Sequence, residues 1–171
     1  ELEFTKDSEQ PYTNNTRGVV VSGFLSNKFY FVSGATETQA FYPDYIVRYR
    51  IKNYVLPGSG RVRPFKQNGY DFSKSFGHVV YSPIDNLQLL FGHTRQFVGY
   101  GYRSLLLSDA PLEFPIAQYR LSHKRLQYIG SYATFQSATA YDDRTKVFSR
   151  KYSSMHYLSY LVHKKFEIAV F

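Results

Sequence analysis

Ser75-Phe-Gly-His-Val-Val-Tyr-Ser-Pro-Ile-Asp-Asn-Leu-Gln-Leu-Leu-Phe-Gly-His93 holds two runs of β-forming residues parted by a short turn, Pro83 to Asn86. A long segment, Thr94 to Phe114, follows before the next such run begins. Runs of Tyr, Phe, Val and Thr bounded by Gly, Pro, Asn, Asp and Ser are what strands require, and helix-period apolar faces are nearly missing. The same unit recurs along the chain. Strands are expected at Thr16 to Phe24, Phe29 to Thr38, Ser75 to Ser82, Leu87 to His93, Pro115 to Ser122, Leu126 to Ala138, Arg150 to Val162 and Phe166 to Phe171. Short turns at Leu25 to Lys28, Pro83 to Asn86, His123 to Arg125 and His163 to Lys165 alternate with long segments at Gln39 to Lys74, Thr94 to Phe114 and Tyr141 to Ser149. In an antiparallel meander that alternation gathers the short turns at one end and the long loops at the other. This is the layout of an outer-membrane barrel with periplasmic turns and extracellular loops. The expected fold class is therefore all-β, an antiparallel up-and-down transmembrane β-barrel.

Composition narrows the alternatives. With 171 residues, the chain is one domain or part of a larger one. Hydrophobic residues at 43% and aromatics at 19%, with 17 Tyr and 15 Phe, exclude a disordered chain. No apolar run approaches the length of a membrane-spanning helix, which excludes a helical membrane protein and leaves a barrel open. There is no Cys, so disulfides, thiol catalysis and Cys-based zinc or iron–sulfur sites are closed. Twenty-one Lys and Arg against 13 Asp and Glu give a net charge of +8, which suits nucleic acid, acidic polysaccharide or lipid headgroups. Residues 1–15 read as a polar N-terminal extension or loop, and 16–171 as the barrel strands. The sequence opens Glu1-Leu2-Glu3, so any targeting segment is expected to have been removed or to lie outside it.

Strand faces are legible in part. Leu87, Leu89 and Phe91 share an apolar face. Gln127, Ile129, Ser131, Ala133 and Phe135 alternate with Tyr128, Gly130, Tyr132 and Thr134. Phe166, Ile168 and Val170 oppose Glu167 and Ala169. One face suits lipid, and the many Tyr suit the aromatic girdles of a membrane barrel. A Tyr-rich β core in water alternates in the same way, so the pattern leaves both readings open.

Several stretches are individual enough to compare with known families. They are Tyr12-Thr-Asn-Asn-Thr-Arg-Gly18, Thr36-Glu-Thr-Gln-Ala-Phe-Tyr-Pro-Asp-Tyr45, Val55-Leu-Pro-Gly-Ser-Gly-Arg-Val-Arg-Pro-Phe65, Asn68-Gly-Tyr-Asp-Phe72 and Tyr152-Ser-Ser-Met-His-Tyr-Leu-Ser-Tyr160. The most specific is Phe91-Gly-His-Thr-Arg-Gln-Phe-Val-Gly-Tyr-Gly-Tyr-Arg-Ser-Leu-Leu-Leu-Ser-Asp109. Over about Tyr12 to Phe171 the chain resembles the Wzi-like capsule-assembly outer-membrane proteins, in the branch related to gliding-motility outer-membrane proteins. The resemblance implies a large, non-catalytic β-barrel in the outer membrane of a Gram-negative bacterium, binding or anchoring surface (capsular) polysaccharide. Such barrels need more than the eight strands counted here, so the chain is expected to be a fragment of a larger barrel. The implied partners are surface polysaccharide, outer-membrane lipid and other outer-membrane proteins, with no nucleic acid and no cofactor.

Two clusters are candidate ligand-binding sites. Arg61, Arg63 and Lys66 lie in a Pro- and Gly-punctuated loop beside Phe65 and Tyr70. Guanidinium forks pair with the carboxylates of an acidic polymer, and ring faces cover the apolar side of a sugar. The bland reading is a solvated basic loop. Arg95, Tyr100, Tyr102 and Arg103 form the second cluster, where the glycines of Gly99-Tyr-Gly-Tyr permit a tight lip or an inward fold. Its bland reading is a structural latch, for instance between Arg103 and Asp109. No catalytic residue is expected, since no nucleophile elbow occurs, and no metal site either. The five His lack ligand spacing, and Asp142-Asp143 offers too few oxygens for calcium. Two rival functions stay open. One is an accessory barrel subunit of a gliding-motility or protein-secretion surface complex; the other is a soluble basic β-domain binding nucleic acid, against which Tyr and Phe are spread over every strand instead of forming one platform.

Overall fold

The computed structural model describes residues 2–3, 12–66, 68–142 and 147–171. Strands make up 68% of the described residues. They are β1 (Leu2–Glu3), β2 (Tyr12–Ser26), β3 (Phe29–Phe41), β4 (Arg63–Phe65), β5 (Gly69–Ile84), β6 (Leu87–Thr94), β7 (Phe114–His123), β8 (Leu126–Asp142), β9 (Val147–His163) and β10 (Phe166–Val170), with one helix, α1 (Asp44–Asn53). All belong to one antiparallel sheet in the order β1-β2-β3-β5-β6-β7-β8-β9-β10, with β4 beside β5. The sheet is open, with β2 and β10 toward its two edges.

Four hairpins, each closed by two residues, set the register: Asn27-Lys28, Asp85-Asn86, Lys124-Arg125 and Lys164-Lys165. Tight loops of this kind hold antiparallel neighbours in fixed pairing. Three of them are also tied to the next hairpin. Lys28 O accepts from Ser82 N–H at 2.8 Å, Asn86 O from Ser122 N–H at 2.9 Å and Arg125 O from Leu161 N–H at 2.9 Å. The short turns thus share one end of the sheet.

At the other end the expected long segments diverge. Gln39 to Lys74 is not plain loop: it completes β3, forms α1 and β4, and starts β5. Pro43 presets the entry to α1, Asp44 sits in the first turn, Arg50 and Lys52 in the last, and Tyr54 closes the helix at φ 62° with its N–H on Arg50 O. Thr94 to Phe114 is a true excursion between β6 and β7. Tyr141 to Ser149, expected as a third long loop, is corrected: β8 and β9 stay paired out to Asp142 and Val147. The Asp142-Asp143 pair falls partly outside the described residues, as does most of the extension expected over 1–15, of which Tyr12 to Asn15 already belong to β2.

Residues opposite one another in register share a face. One face of the sheet is covered by both insertions. Ile46, Val47 and Tyr42 pack with Leu56 and Val62 on Tyr70 and Phe72 of β5. Val98 and Leu107 pack on Ile129 and Tyr157, and Leu107 also meets Phe114, Ile116 and Ala133. Polar side chains are buried on the same face, among them Thr38, Gln118, Ser131 and Ser159. The opposite face is bare and carries the apolar sets read from the sequence, Leu87, Leu89 and Phe91 on β6, then Ile168 and Val170 on β10.

Gly92 marks one of the closest backbone approaches. A Cβ there would lie 2.3 Å from Gly77 O and 2.5 Å from His78 Cα, with no flexible side chain to yield. Gly92→Ala is therefore expected to destabilise the fold by about 2 kcal/mol, whereas Gly23→Ala, whose Cβ would meet only the Phe31 ring at 3.3 Å, should change it by less than about 0.5 kcal/mol. Urea titrations of the two variants beside the parent protein measure the difference; equal midpoints for both would contradict it.

Candidate functional site

The first candidate cluster stands at the end remote from the short turns. Arg61, Arg63 and Lys66 are exposed, and Arg63 opposes Asp71 in the β4–β5 register. Lys66, at φ 52°, places its ammonium 5.4 Å from the Phe65 ring centre, and Phe65 packs against Phe41 at 6.2 Å across Gly69. Tyr70 differs from its neighbours. It is 6% exposed and lies under Arg50, whose guanidinium carbon is 5.5 Å from the ring centre, so it presents no ring face to the surface.

Helix α1 adds residues that the sequence analysis missed. Tyr45, Arg48, Tyr49 and Lys52 are exposed at the spacing i, i+3, i+4, i+7, which aligns them on one side of a helix. Ile46 and Val47 hold the other side on the core that also contains Val62, next to Arg61 and Arg63. Asn68 Nδ2 donates to Asp44 Oδ1 at 3.0 Å, fixing the helix start against the β4–β5 turn. Lys74 Nζ donates to Gly58 O at 2.8 Å and pins the intervening loop. The result is a basic end of Arg48, Lys52, Arg61, Arg63 and Lys66, with Tyr45 and Tyr49 exposed beside the charges. The spacing was visible in Asp44 to Asn53, but its narrow apolar stripe gave no helical periodicity to notice.

The second cluster is elsewhere. β6 stops at Thr94, so residues 95–113 fold inward over the covered face and descend toward the short turns, the inward fold that the glycines permit. Gly99 takes φ 130° at the bend. Arg95 Nε lies 3.1 Å from Glu113 Oε1, a carboxylate only 6% exposed, and its Nη1 donates to Asp109 O at 3.3 Å. Val98 N–H donates to Leu107 O at 2.9 Å, and Ser104 Oγ, which donates to Val98 O, accepts from the Leu106 and Leu107 N–H groups. Tyr100 Oη donates to Glu167 Oε2 at 2.5 Å, and Tyr157 Oη to Glu167 Oε1 at 3.4 Å. The latch thus exists, with partners other than those expected: Arg103 rests on the Tyr102 ring at 5.9 Å instead of pairing with Asp109. Arg95, Tyr100, Tyr102 and Arg103 are not brought to the first cluster.

The bare face is charge-free across its middle. Among the described residues, the sections Phe29 to Ala35, Ser73 to Tyr81, Leu87 to His93, Pro115 to Leu121, Leu126 to Gln136 and Tyr152 to Tyr160 turn no Asp, Glu, Lys or Arg toward it. These sections run from about 20 Å along β3 to about 34 Å along β8 at 3.4 Å per residue. Arg17 paired with Glu37 at 3.1 Å, Asp71 and Arg150 lie beyond them at one end, and the charged turns at the other. Both His on this face are partnered. His93 Nδ1 is 3.0 Å from Ser75 O, and His156 lies 2.7 Å from Tyr128 Oη and 3.1 Å from Ser154 Oγ.

No family model matches the chain, and neither does any curated protein or solved structure.

The Glu167 carboxylate, by accepting its hydrogen bond, raises Tyr100 above the ordinary tyrosine value of about 10. A raised value favours the neutral donor, so the bond is present below pH 10 and is lost as pH rises through the raised value. Trypsin cleavage after Arg103 reads this latch. Tyr100→Phe is expected to speed it about fivefold at neutral pH, the equivalent of about 1 kcal/mol for one hydrogen bond. The ratio of variant to parent rates should fall toward one at strongly alkaline pH. Identical rates at neutral pH would show that the bond does not hold the loop.

Proposed function

We propose that the chain forms wall of a non-catalytic outer-membrane β-barrel of the Wzi-like capsule-assembly kind, whose long-loop end binds or anchors anionic surface polysaccharide. The observation that carries this reading is the segregation of charge. A bare face that turns no Asp, Glu, Lys or Arg outward across its middle fits lipid, in which only a fully paired backbone is tolerated. Its aromatic fringe near the short turns, with Phe29, Tyr81, Tyr119, Tyr128 and Tyr160, fits the membrane interface. Beyond the belt stand Arg48, Lys52, Arg61, Arg63 and Lys66 with exposed Tyr rings, a surface suited to a polymer that alternates carboxylates with apolar ring faces. In this orientation the short turns are periplasmic and α1 is extracellular.

The accessory-subunit reading has its own support in the outer sides of β2 beyond its short pairing with β1 and of β10, which meet no further strand among the described residues, since unpaired strands in lipid need a neighbour. Both readings share the barrel and differ in what the exposed end touches.

Binding to a polyuronate such as alginate, measured with the detergent-solubilised chain, separates them. Combined Arg61→Ala, Arg63→Ala and Lys66→Ala should weaken it about tenfold while leaving the β circular dichroism unchanged, if each exposed charge supplies about 0.5 kcal/mol. Raising salt past physiological strength, where screening sets in beyond about 8 Å, should weaken it further. Substituting Lys124 and Arg125 on a short turn should have no effect. Retention by the loop variant and loss by the turn variant would put the orientation or the ligand wrong.

A further inference from the structure

The loop of residues 95–113 is built as a strap and not as a rim. It is fixed at its base by Arg95 on Glu113, across its width by the Val98–Leu107 pairing, and at its tip by Tyr100 on Glu167. Leaving the sheet between β6 and β7, it crosses β8 and β9 and ends on β10 beside the Lys164-Lys165 turn. Tip and last hairpin enclose a cavity of about 600 Å³ lined by Tyr100, Leu106, Tyr157, Lys164, Lys165 and Glu167 among others.

The strap does not fill the space before it. Tyr102 is 95% exposed with Arg103 stacked on it, and Leu105 is fully exposed. On β2, Val20 and Phe24 face the same side and are also exposed. The charge around the tip is mainly positive. Arg103, Lys164 and Lys165 are exposed, and Arg120, in the same row of the sheet as Ile129 beneath the strap, has a buried Nε that makes no hydrogen bond within the protein. The two nearby carboxylates are both engaged, Glu113 by Arg95 and Glu167 by Tyr100 and Tyr157.

An interior in which Arg103, Arg120, Lys164 and Lys165 outnumber the one carboxylate without a cationic partner, Glu167, crossed by one anchored loop and otherwise open, concentrates anions where the field is focused by low-dielectric walls. We propose that the strap is the constriction of an aqueous passage along the covered face and gives that passage a preference for small anions, with Arg103 as the residue that sets it. The proposal rests on the barrel reading but not on polysaccharide binding. It adds conduction to a wall that the preceding reading uses only as an anchor.

Planar bilayers containing the purified full chain test it, with potassium chloride at unequal concentrations on the two sides. Discrete current steps are expected, with a reversal potential of the sign that chloride preference gives. Arg103→Ala should lower the chloride-to-potassium permeability ratio at least twofold. Tyr100→Phe, which frees the tip, should enlarge or destabilise the steps while keeping Arg103. Steps unaltered in size and selectivity by both substitutions would overturn the constriction and leave the barrel standing. If no sample gives steps, the passage is overturned, and heat-dependent gel mobility of the same samples decides the barrel separately. Mobility that shifts on boiling keeps the barrel, and mobility that does not shift removes it as well.

Discussion

Four two-residue turns hold the register of eight long or half-long strands, and register in a sheet decides which side of the molecule every side chain occupies. A slip of β6 by one residue against β5 and β7 would send Leu87, Leu89 and Phe91 to the covered side and Gln88, Leu90 and Gly92 to the bare one. It would also drive a side chain into the space that Gly92 leaves for Gly77 O. Turn geometry, glycine placement and apolar alternation therefore agree on one pairing.

Once register is set, the two faces have different tasks. The covered face combines apolar contact with buried Thr, Ser and Gln, and takes in the two insertions. Ser131 Oγ donates to Gln118 Oε1 at 3.4 Å and Thr16 and Thr38 hydroxyls meet at 2.9 Å, so part of its polarity is satisfied across strands. The bare face collects Val19, Val21, Phe91, Leu121, Tyr132 and Ile168 in the open. A sheet in water would bury such a face against a second layer. Here the insertions pack on the other side. The interior of an eight-stranded barrel is filled by its own side chains, so a barrel built on this sheet, whose covered face carries a helix and a strap, would need to be wider.

The four short turns and the excursion of Thr94 to Phe114 were legible in the sequence because hairpin length and strand period are local properties, whereas the long loop expected at Tyr141 to Ser149 was not there. The faces of Leu87 to Phe91 and Leu126 to Phe135, which depend only on counting by two, were legible as well. Strand ends were not: β5 starts at Gly69 and β9 at Val147, because partner strands extend the ladder past the point where composition changes. Helix α1 was hidden by Tyr, Ile and Val, residues that favour strands, and forms because Pro43, Tyr54 and the core of Leu56 and Val62 define its ends and its seat. The clusters of Arg and Tyr were visible as composition. That one remains outside while the other turns in depends on β6 ending at Thr94, a tertiary fact that no local spacing encodes.

Segregation of the faces is the claim on which the membrane reading depends, and β6 is the strand to interrogate. Nitroxide labels placed singly at Leu87 through Phe91, with the protein in lipid vesicles, report collisions with oxygen dissolved in the bilayer and with a water-soluble nickel complex. Expected is a period of two: Leu87, Leu89 and Phe91 reached by oxygen and shielded from nickel, and Gln88 and Leu90 protected from oxygen. Nickel reaching all positions alike, with the protein washing off the vesicles, would contradict the account.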